Sequence, residues 1–216
     1  NREIGMLGLE ISIVFKRKGK RVKFRKIKKE IRILAFDDGP FEFRGKGKDI
    51  LVGVIFRGGE FMDGLLKTEI DIDGNDATQK IIEITKKTRH KDLRVIMLDG
   101  ITFAGFNTVD IKEIYEKTNL PVIVVNRKKP NIENFLASLE RFPDRKERAD
   151  CVKNAGEFFS VPVENKRIYF QVCGLSEKDA AEIIKRTATR SLIPEPLRIA
   201  HLIATGIILG ESVGRA

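Results

Sequence analysis

The chain has 216 residues, of which 42% are hydrophobic, so it is long enough and apolar enough to form one packed domain. A charged fraction of 33%, with only 7% aromatic residues, excludes a collagen-like chain and indicates an aliphatic core inside a charged surface. With two cysteines and two histidines, neither a disulfide framework nor a zinc module is expected. The most apolar stretch, residues 199–209, is too short to span a membrane, and no segment resembles a signal peptide. We therefore expect a soluble, cytoplasmic protein.

The positive charge is concentrated in one segment of the sequence. The formal net charge is +10, and residues 16–29 contain ten basic residues and no acid, so the rest of the chain is neutral. This stripe could bind the phosphates of nucleic acid, or it could be a solvated arm or hairpin. The binding hypothesis names Lys16, Arg17, Lys18, Lys20 and Arg21. We therefore predict a basic N-terminal extension or hairpin over residues 1–29, followed by a single domain over residues 30–216. The abundance of lysine, glutamate and isoleucine also fits a thermophile.

The first predicted elements are three strands. Residues 31–37 form an apolar run that stops at Asp-Asp-Gly-Pro, which indicates a buried strand ended by a turn. Residues 49–56 and 61–73 predict two more strands, and Arg57-Gly58-Gly59-Glu60 between them suits a tight hairpin. These three strands are expected to be antiparallel neighbours.

Helices and strands alternate in the rest of the chain. A helix over residues 77–88 precedes a strand over 93–98, and a second helix, capped by Asn107 or Asp110, precedes a strand over 121–125. The later predicted elements are helices at 132–139 and 148–158, a strand at 167–173, and helices at 176–187 and from Pro194 towards Leu209. This order predicts an α/β fold with a mixed sheet, in which three antiparallel strands precede two parallel strands and helices cover both faces.

Acidic residues end several of the predicted strands. Asp37 and Asp99 follow the first and fourth strands, and Glu69, Asp71 and Asp73 alternate along the third. If the first and fourth strands are parallel neighbours, these carboxylates converge and need a cation between them. An all-oxygen site favours Mg²⁺ or Mn²⁺ and supports phosphodiester hydrolysis. The alternative is that such aspartates are turn and cap residues, as expected for Asp38 and Asp76.

Two further groups of side chains are candidates for the site or its support. Arg127, Lys128 and Lys129 follow the strand at 121–125, where they could hold a phosphate or simply be solvated. His201 lies among aliphatic residues of the last helix and is expected to be a buried structural histidine.

Several motifs, in order along the chain, resemble endonuclease V, a family with a ribonuclease H-like fold that acts on nucleic acid. The similar segments are Gly64-Leu65-Leu66 with the acids after it, Met97-Leu98-Asp99-Gly100, residues 121–128, and Ile193-Pro194-Glu195-Pro196-Leu197-Arg198-Ile199-Ala200. Asp37 to Phe41, Asp73 to Thr78 and Gly105 to Asn107 more closely resemble an archaeal group in the same superfamily, the domain of unknown function 99 family. The resemblance implies a ribonuclease H-like fold.

The resemblance also implies roles for individual residues. Asp37 and Asp99 would bind the metal, Asp71 or Asp73 would take the place of a glutamate, and Arg127 would replace a lysine. The implied catalytic set is Asp37, Asp73, Asp99 and Arg127. The chain departs from endonuclease V in three ways: Ile70 aligns with the glutamate, Glu60 to Asp63 replace the strand-separating wedge, and Gly174 and Leu175 fall near its histidine.

Three functions remain open from the sequence. The first is a metal-dependent nuclease that hydrolyses phosphodiesters in DNA or RNA, with Mg²⁺ or Mn²⁺ as cofactor and nucleic acid as partner. The second is a non-catalytic nucleic-acid-binding protein that retains the fold and depends on the basic stripe. The third is a protein-interaction module with a structural acidic cluster. The oligomeric state is left open.

Overall fold

The computed structural model describes residues 21–40 and 47–212. A seven-stranded sheet has the order β3-β2-β1-β4-β7-β9-β8, and β5 pairs with β6 in a small separate ribbon. The strands are β1 (Arg32–Asp38), β2 (Lys48–Arg57), β3 (Phe61–Asp71), β4 (Val95–Asp99), β5 (Thr102–Phe103), β6 (Asn107–Thr108), β7 (Val122–Asn126), β8 (Phe159–Val163) and β9 (Lys166–Cys173). The helices are α1 (Ala77–Lys87), α2 (Ile111–Thr118), α3 (Ile132–Ser138), α4 (Arg145–Ala155), α5 (Glu177–Thr187) and α6 (Glu195–Leu209), and a 3-10 turn covers Leu139–Arg141.

The predicted α/β fold with a mixed sheet is confirmed. β1, β2 and β3 are antiparallel neighbours, whereas β1, β4 and β7 are parallel. The hairpin between β2 and β3 turns at Gly58, whose φ of 56° lies in the left-handed region that glycine tolerates. Because β1, β4 and β7 run in the same direction, their carboxyl ends lie side by side at one edge of the sheet.

Helices cover both faces of the sheet, and each face has its own core. On one face, α5 and α6 pack against alternate residues of the strands, including Ile33, Val52 and Met97. On the other face, α1, α2 and α4 pack against the intervening residues, including Leu34 and Leu98. The alternation of strand side chains therefore decides which face each acid at the sheet edge occupies.

Three predicted boundaries are corrected by the structure. β3 ends at Asp71, and Asp73 lies in a turn with φ of 54°, so the period-two alternation of the strand does not extend to it. Asp38, expected to be a turn residue, is the last residue of β1, and its Oδ2 accepts a hydrogen bond from the backbone N–H of Ala104. The predicted helix at 148–158 starts and ends three residues earlier, at Arg145 and Ala155, because Gly156 with φ of 77° ends it.

Residues 21–29 of the basic segment cross the amino ends of the strands, opposite the carboxyl edge. Lys16 to Lys20 lie outside the described residues. Within residues 21–29, Val22 donates a backbone hydrogen bond to Gly174 after β9, and Arg94 before β4 lies over the Phe24 ring. Residues 21–29 contain neither helix nor strand. Among the described residues, no helix is long and apolar enough to cross a membrane.

Candidate active site at the carboxyl edge of the sheet

Asp37 is the most enclosed acid at the carboxyl edge. It is only 4% exposed, and β1 directs it towards the face covered by α6, because its neighbours two and four residues back, Ala35 and Ile33, lie in that core. Its Oδ1 accepts a hydrogen bond of 3.0 Å from the backbone N–H of Asp38. Burial raises the pKa of Asp37 well above its ordinary value, and the nearby charge of Asp99 raises it further.

Asp99 ends β4, the parallel neighbour of β1. Residues Val95 and Met97 of the same strand face the α6 side, so Asp99 faces the same side as Asp37. Burial raises the pKa of Asp99, and the positive charges of Arg127 and His201 partly oppose that rise. The structure therefore brings together the two strand-end aspartates that the sequence indicated.

His201 of α6 lies beside this pair, although its aliphatic sequence context predicted no place at the site. Its Nδ1 lies 3.0 Å from Oδ2 of Asp37, and its side chain is 31% exposed. The expectation of a buried structural histidine was wrong: the side chain lies at the edge of the core, with one nitrogen on a buried carboxylate. Helical spacing could have indicated part of this, because His201 is four residues after the buried Leu197 and so shares its inward face.

The start of α6 explains how His201 is held in place. Leu197, Ala200 and Ala204 are fully buried against the sheet, which fixes the rotation of the helix. Glu195 is 7% exposed and forms two hydrogen bonds with Arg198, of 2.6 and 2.8 Å. The Pro-Glu-Pro-Leu-Arg run thus contributes an ion pair with two hydrogen bonds to the first turn of the helix.

Arg127 follows β7 and completes a group of four side chains. It is exposed, and its positive charge lowers the pKa of both Asp37 and Asp99, although burial outweighs that effect. Lys128 and Lys129 are exposed beside it. A basic side chain that acts on the buried Asp37 and the partly buried Asp99 while open to solvent is well placed to meet a negatively charged substrate.

The acids of β3 occupy different positions from those expected. Val52 of β2 pairs with both Asp37 and Lys67, so alternation places Glu69 and Asp71 on the Asp37 face. Asp71 is exposed, with Lys48 Nζ 3.9 Å from its carboxylate. Lys67 is the residue of β3 in register with Asp37. Glu69 lies two residues beyond Lys67 along β3, and Asp71 lies four residues beyond it. On β3, Glu69 is therefore the acid closest in register to Asp37.

Asp73 has a structural contact on the other face. Its Oδ1 accepts a hydrogen bond of 2.9 Å from the backbone N–H of Phe106. Arg148, which is 5% exposed, donates to the backbone carbonyls of Asp73 and Phe106 and to the Asp144 carboxylate. The contacts of Asp73 therefore tie it to the loop after β4. The structure does not bring it to Asp37.

The site suits a hard cation, as judged from the side chains present. Burial raises the pKa of both Asp37 and Asp99, and the charge of Asp99 raises the pKa of Asp37 further, so the pair has too little positive charge around it, which a divalent ion would supply. Among residues 21–40 and 47–212, no group of three or more His, Cys, Asp or Glu side chains could hold a metal ion. Mg²⁺ commonly uses only one or two protein carboxylates, with water and substrate phosphate as its other ligands. Asp37 and Asp99 fit that mode.

Comparison with known sequences identifies the family. The family model described as Endonuclease dU matches residues 29–208. The chain belongs to this family. A UPF0215 protein of Methanothermobacter thermautotrophicus is 52% identical over 195 residues, which cover 89% of this chain and 95% of that protein. A UPF0215 protein of Thermococcus gammatolerans is 47% identical over 192 residues, which cover 87% and 97%. The expected relationship to an archaeal group is confirmed.

Comparison with solved structures confirms the fold. A protein of unknown function from Archaeoglobus fulgidus is 38% identical, with a TM-score of 0.74 over 82% of this chain and 97% of that one. Human ENDOV is 16% identical, with a TM-score of 0.56 over 83% and 84%. Endonuclease V of Ciona intestinalis, solved with DNA containing an inosine followed by a ribo-adenosine, is 15% identical, with a TM-score of 0.57 over 83% and 86%. This member of the Endonuclease dU family therefore has a ribonuclease H-like fold similar to that of endonuclease V.

Proposed function

We propose that this protein is a metal-dependent endonuclease that hydrolyses phosphodiester bonds in nucleic acid, and that Asp37 and Asp99 are its metal-binding residues. The observation that carries the proposal is that the buried Asp37 and the partly buried Asp99 lie together with His201 and Arg127 at the carboxyl edge of parallel strands. Parallel α/β sheets commonly bind ligands at this edge. Membership of a family described as Endonuclease dU, and a fold shared with endonuclease V, support the same chemistry.

Each side chain has a distinct role in the proposed reaction. Mg²⁺ or Mn²⁺ bound by Asp37 and Asp99 would polarise the phosphodiester and make water a better nucleophile at neutral pH. His201 orients the Asp37 carboxylate through its Nδ1, and its other ring nitrogen can exchange a proton with water or with the leaving oxygen. Arg127 binds a phosphate oxygen and offsets the charge that develops in the transition state. Glu69 is the acid of β3 that we place nearest to the ion.

The substrate we propose is DNA that contains deoxyuridine, for which dU is the usual abbreviation. This proposal rests on the description of the family and not on a base-binding contact of the chain. RNA and inosine-containing DNA are the competing substrates, the latter because it is bound in the Ciona endonuclease V structure. Lys128 and Lys129 contact the phosphates of whichever strand occupies the site.

The alternative is a nucleic-acid-binding protein without catalysis. The observation that favours it is that only two carboxylates, rather than three, converge in the described part of the chain. Such a protein would bind nucleic acid through Arg127 to Lys129 and through the basic segment. It would bind without cleavage in any divalent metal.

One experiment separates these functions. Mg²⁺ and Mn²⁺ are titrated calorimetrically into the metal-free wild type, Asp99→Asn and the control Asp150→Asn, which changes an exposed aspartate of α4. The three proteins are then incubated with matched 24-base-pair duplexes that contain deoxyuridine, thymidine or inosine, and with RNA of the same sequence. We expect metal binding and cleavage of the deoxyuridine duplex in the wild type and control, and loss of both in Asp99→Asn. Metal binding without cleavage of any substrate would favour the non-catalytic alternative.

A further inference from the structure

The described part of the basic segment is anchored to the body of the protein. Ile27 is 3% exposed and lies in the core, and Phe24 packs against the same core beneath the guanidinium of Arg94, 5.5 Å from the ring centroid. Val22 N–H donates to the carbonyl of Gly174 at 2.7 Å. These contacts hold the segment across the amino ends of β1, β4 and β7. The solvated-arm interpretation does not fit residues 21–29.

Anchoring by the apolar residues turns the basic side chains outward. Lys23, Arg25, Lys26 and Lys28 are all exposed, and we call these four residues the basic ridge. Within residues 21–40 and 47–212, no ion pair involves any of them, whereas neighbouring Lys29 pairs with Glu60 at 2.7 Å. Four positive charges without an ion-pair partner among the described residues, on an anchored backbone, form a fixed positive surface.

The basic ridge is separated from the candidate active site by the length of the strands. β1 runs from Arg32, beside the ridge, to Asp38, beside the site, and its seven residues span about 20 Å at about 3.3 Å per residue. A phosphate group bound at the ridge therefore cannot be the phosphate group that reacts at Asp37. A nucleic acid that reaches both places must pass over the outside of the fold, a path longer than about six base pairs at about 3.4 Å per pair.

We infer that the basic ridge is a second nucleic-acid contact, which binds the phosphate backbone of the substrate's flank at the end of the sheet opposite the carboxylates. This inference rests on the proposed function. Lysine and arginine side chains without base-reading partners supply salt-dependent, sequence-independent affinity. The ridge thus contributes to binding of long substrates and not to the chemical step. A docked protein with an acidic surface is the competing occupant.

The test removes the ridge charges without reversing them. The variant Lys23→Gln/Lys26→Gln/Lys28→Gln leaves the apolar anchors in place. The control Lys86→Gln/Lys112→Gln/Lys117→Gln removes three exposed lysines elsewhere on the surface. Binding of a 24-base-pair duplex is measured by fluorescence anisotropy at several salt concentrations. Cleavage in Mg²⁺ is measured on that duplex and on a stem-loop of six base pairs.

The expected results follow from counterion release. Loss of three phosphate contacts makes the slope of log K against log salt shallower by about 3, and weakens binding at 0.15 M salt on the order of 100-fold. The KM for the long duplex rises with kcat unchanged, whereas both constants for the stem-loop stay at the wild-type values. The control behaves like the wild type in each measurement.

Two results would overturn the inference in distinguishable ways. If the ridge variant keeps the wild-type salt slope while the wild type binds and cleaves the duplex, the ridge is not a contact and the proposed function stands. If the wild type neither binds nor cleaves any nucleic acid, the proposed function and the ridge contact fail together. Circular dichroism and urea unfolding of the variant exclude loss of the fold as the cause.

Discussion

Asp49 provides a stability prediction close to the candidate site. It lies near the start of β2, is 4% exposed, and accepts a hydrogen bond of 2.7 Å at Oδ1 from its neighbour Ile50. Its Oδ2 is buried, and no hydrogen-bond partner reaches it from the described residues. Burial raises the pKa of Asp49 to about 6 from 3.8, with that single hydrogen bond opposing the rise.

The raised pKa of Asp49 makes the stability of the folded protein depend on pH. The unfolded chain loses the Asp49 proton near pH 4 and the folded protein near pH 6, so the stability of the wild type falls as pH rises through this window. A shift of about 2 pKa units corresponds to about 3 kcal/mol at pH 8, and screening by water at the strand end reduces it to about 1.5 kcal/mol. Asp49→Asn removes the ionisation and keeps the acceptor.

The assay is urea unfolding of the wild type and Asp49→Asn at pH 4, 5, 6 and 8. We expect the variant to be more stable at pH 8 by about 1.5 kcal/mol, with less than half of that difference at pH 4. Glu157→Gln, at an exposed acid, is the matched control and should show no growing difference. A stability difference that is constant from pH 4 to pH 8 would refute the reasoning, because it would mean that the carboxylate is not held protonated by the fold.

Three further predictions concern the site and its support. His201→Gln should lower kcat for cleavage about 100-fold with a change in unfolding free energy under about 1 kcal/mol, as measured by single-turnover kinetics and urea unfolding; unchanged kcat would make the histidine purely structural. Arg127→Met should lower kcat/KM at least tenfold, and Arg127→Lys should recover part of it; equal activity of both variants with the wild type would remove Arg127 from the site. Arg148→Met should destabilise the protein by about 3 kcal/mol, since it leaves the carbonyls of Phe106 and Asp73 without a donor; a loss below about 1 kcal/mol in urea unfolding contradicts this.

Strands that are buried on both faces were predictable from the sequence, whereas the sheet edge was not. β1, β4 and β7 are continuous runs of aliphatic residues, and such runs have few alternatives to a buried strand. β8, in contrast, was missed. It is five residues long, contains Pro162, and among the described strands pairs with β9 alone, at the edge of the sheet. Proline and short length argue against a strand locally, and only the pairing with β9 outweighs them.

The candidate site was predictable to the extent that it depends on strand ends. Asp37, Asp99 and Arg127 each end or follow a strand of the parallel group, so topology alone brings them together. His201 comes from a helix that is 164 residues away from Asp37 along the chain. Its inward face was visible in the helical period, but the residue it meets depends on where α6 crosses the sheet. No local pattern specifies that crossing.

The adjacent acids Asp37 and Asp38 show why alternation matters more than the presence of a carboxylate. Burial raises the pKa of both residues, yet their side chains face opposite sides of the same strand. Asp37 faces α6 and meets His201, whereas Asp38 accepts the backbone N–H of Ala104 at 2.6 Å, in the loop that Asp73 also holds. One side of the strand therefore collects the ionisable side chains, and the other uses its acids to fix a loop. A shift of β1 by one residue would exchange these roles.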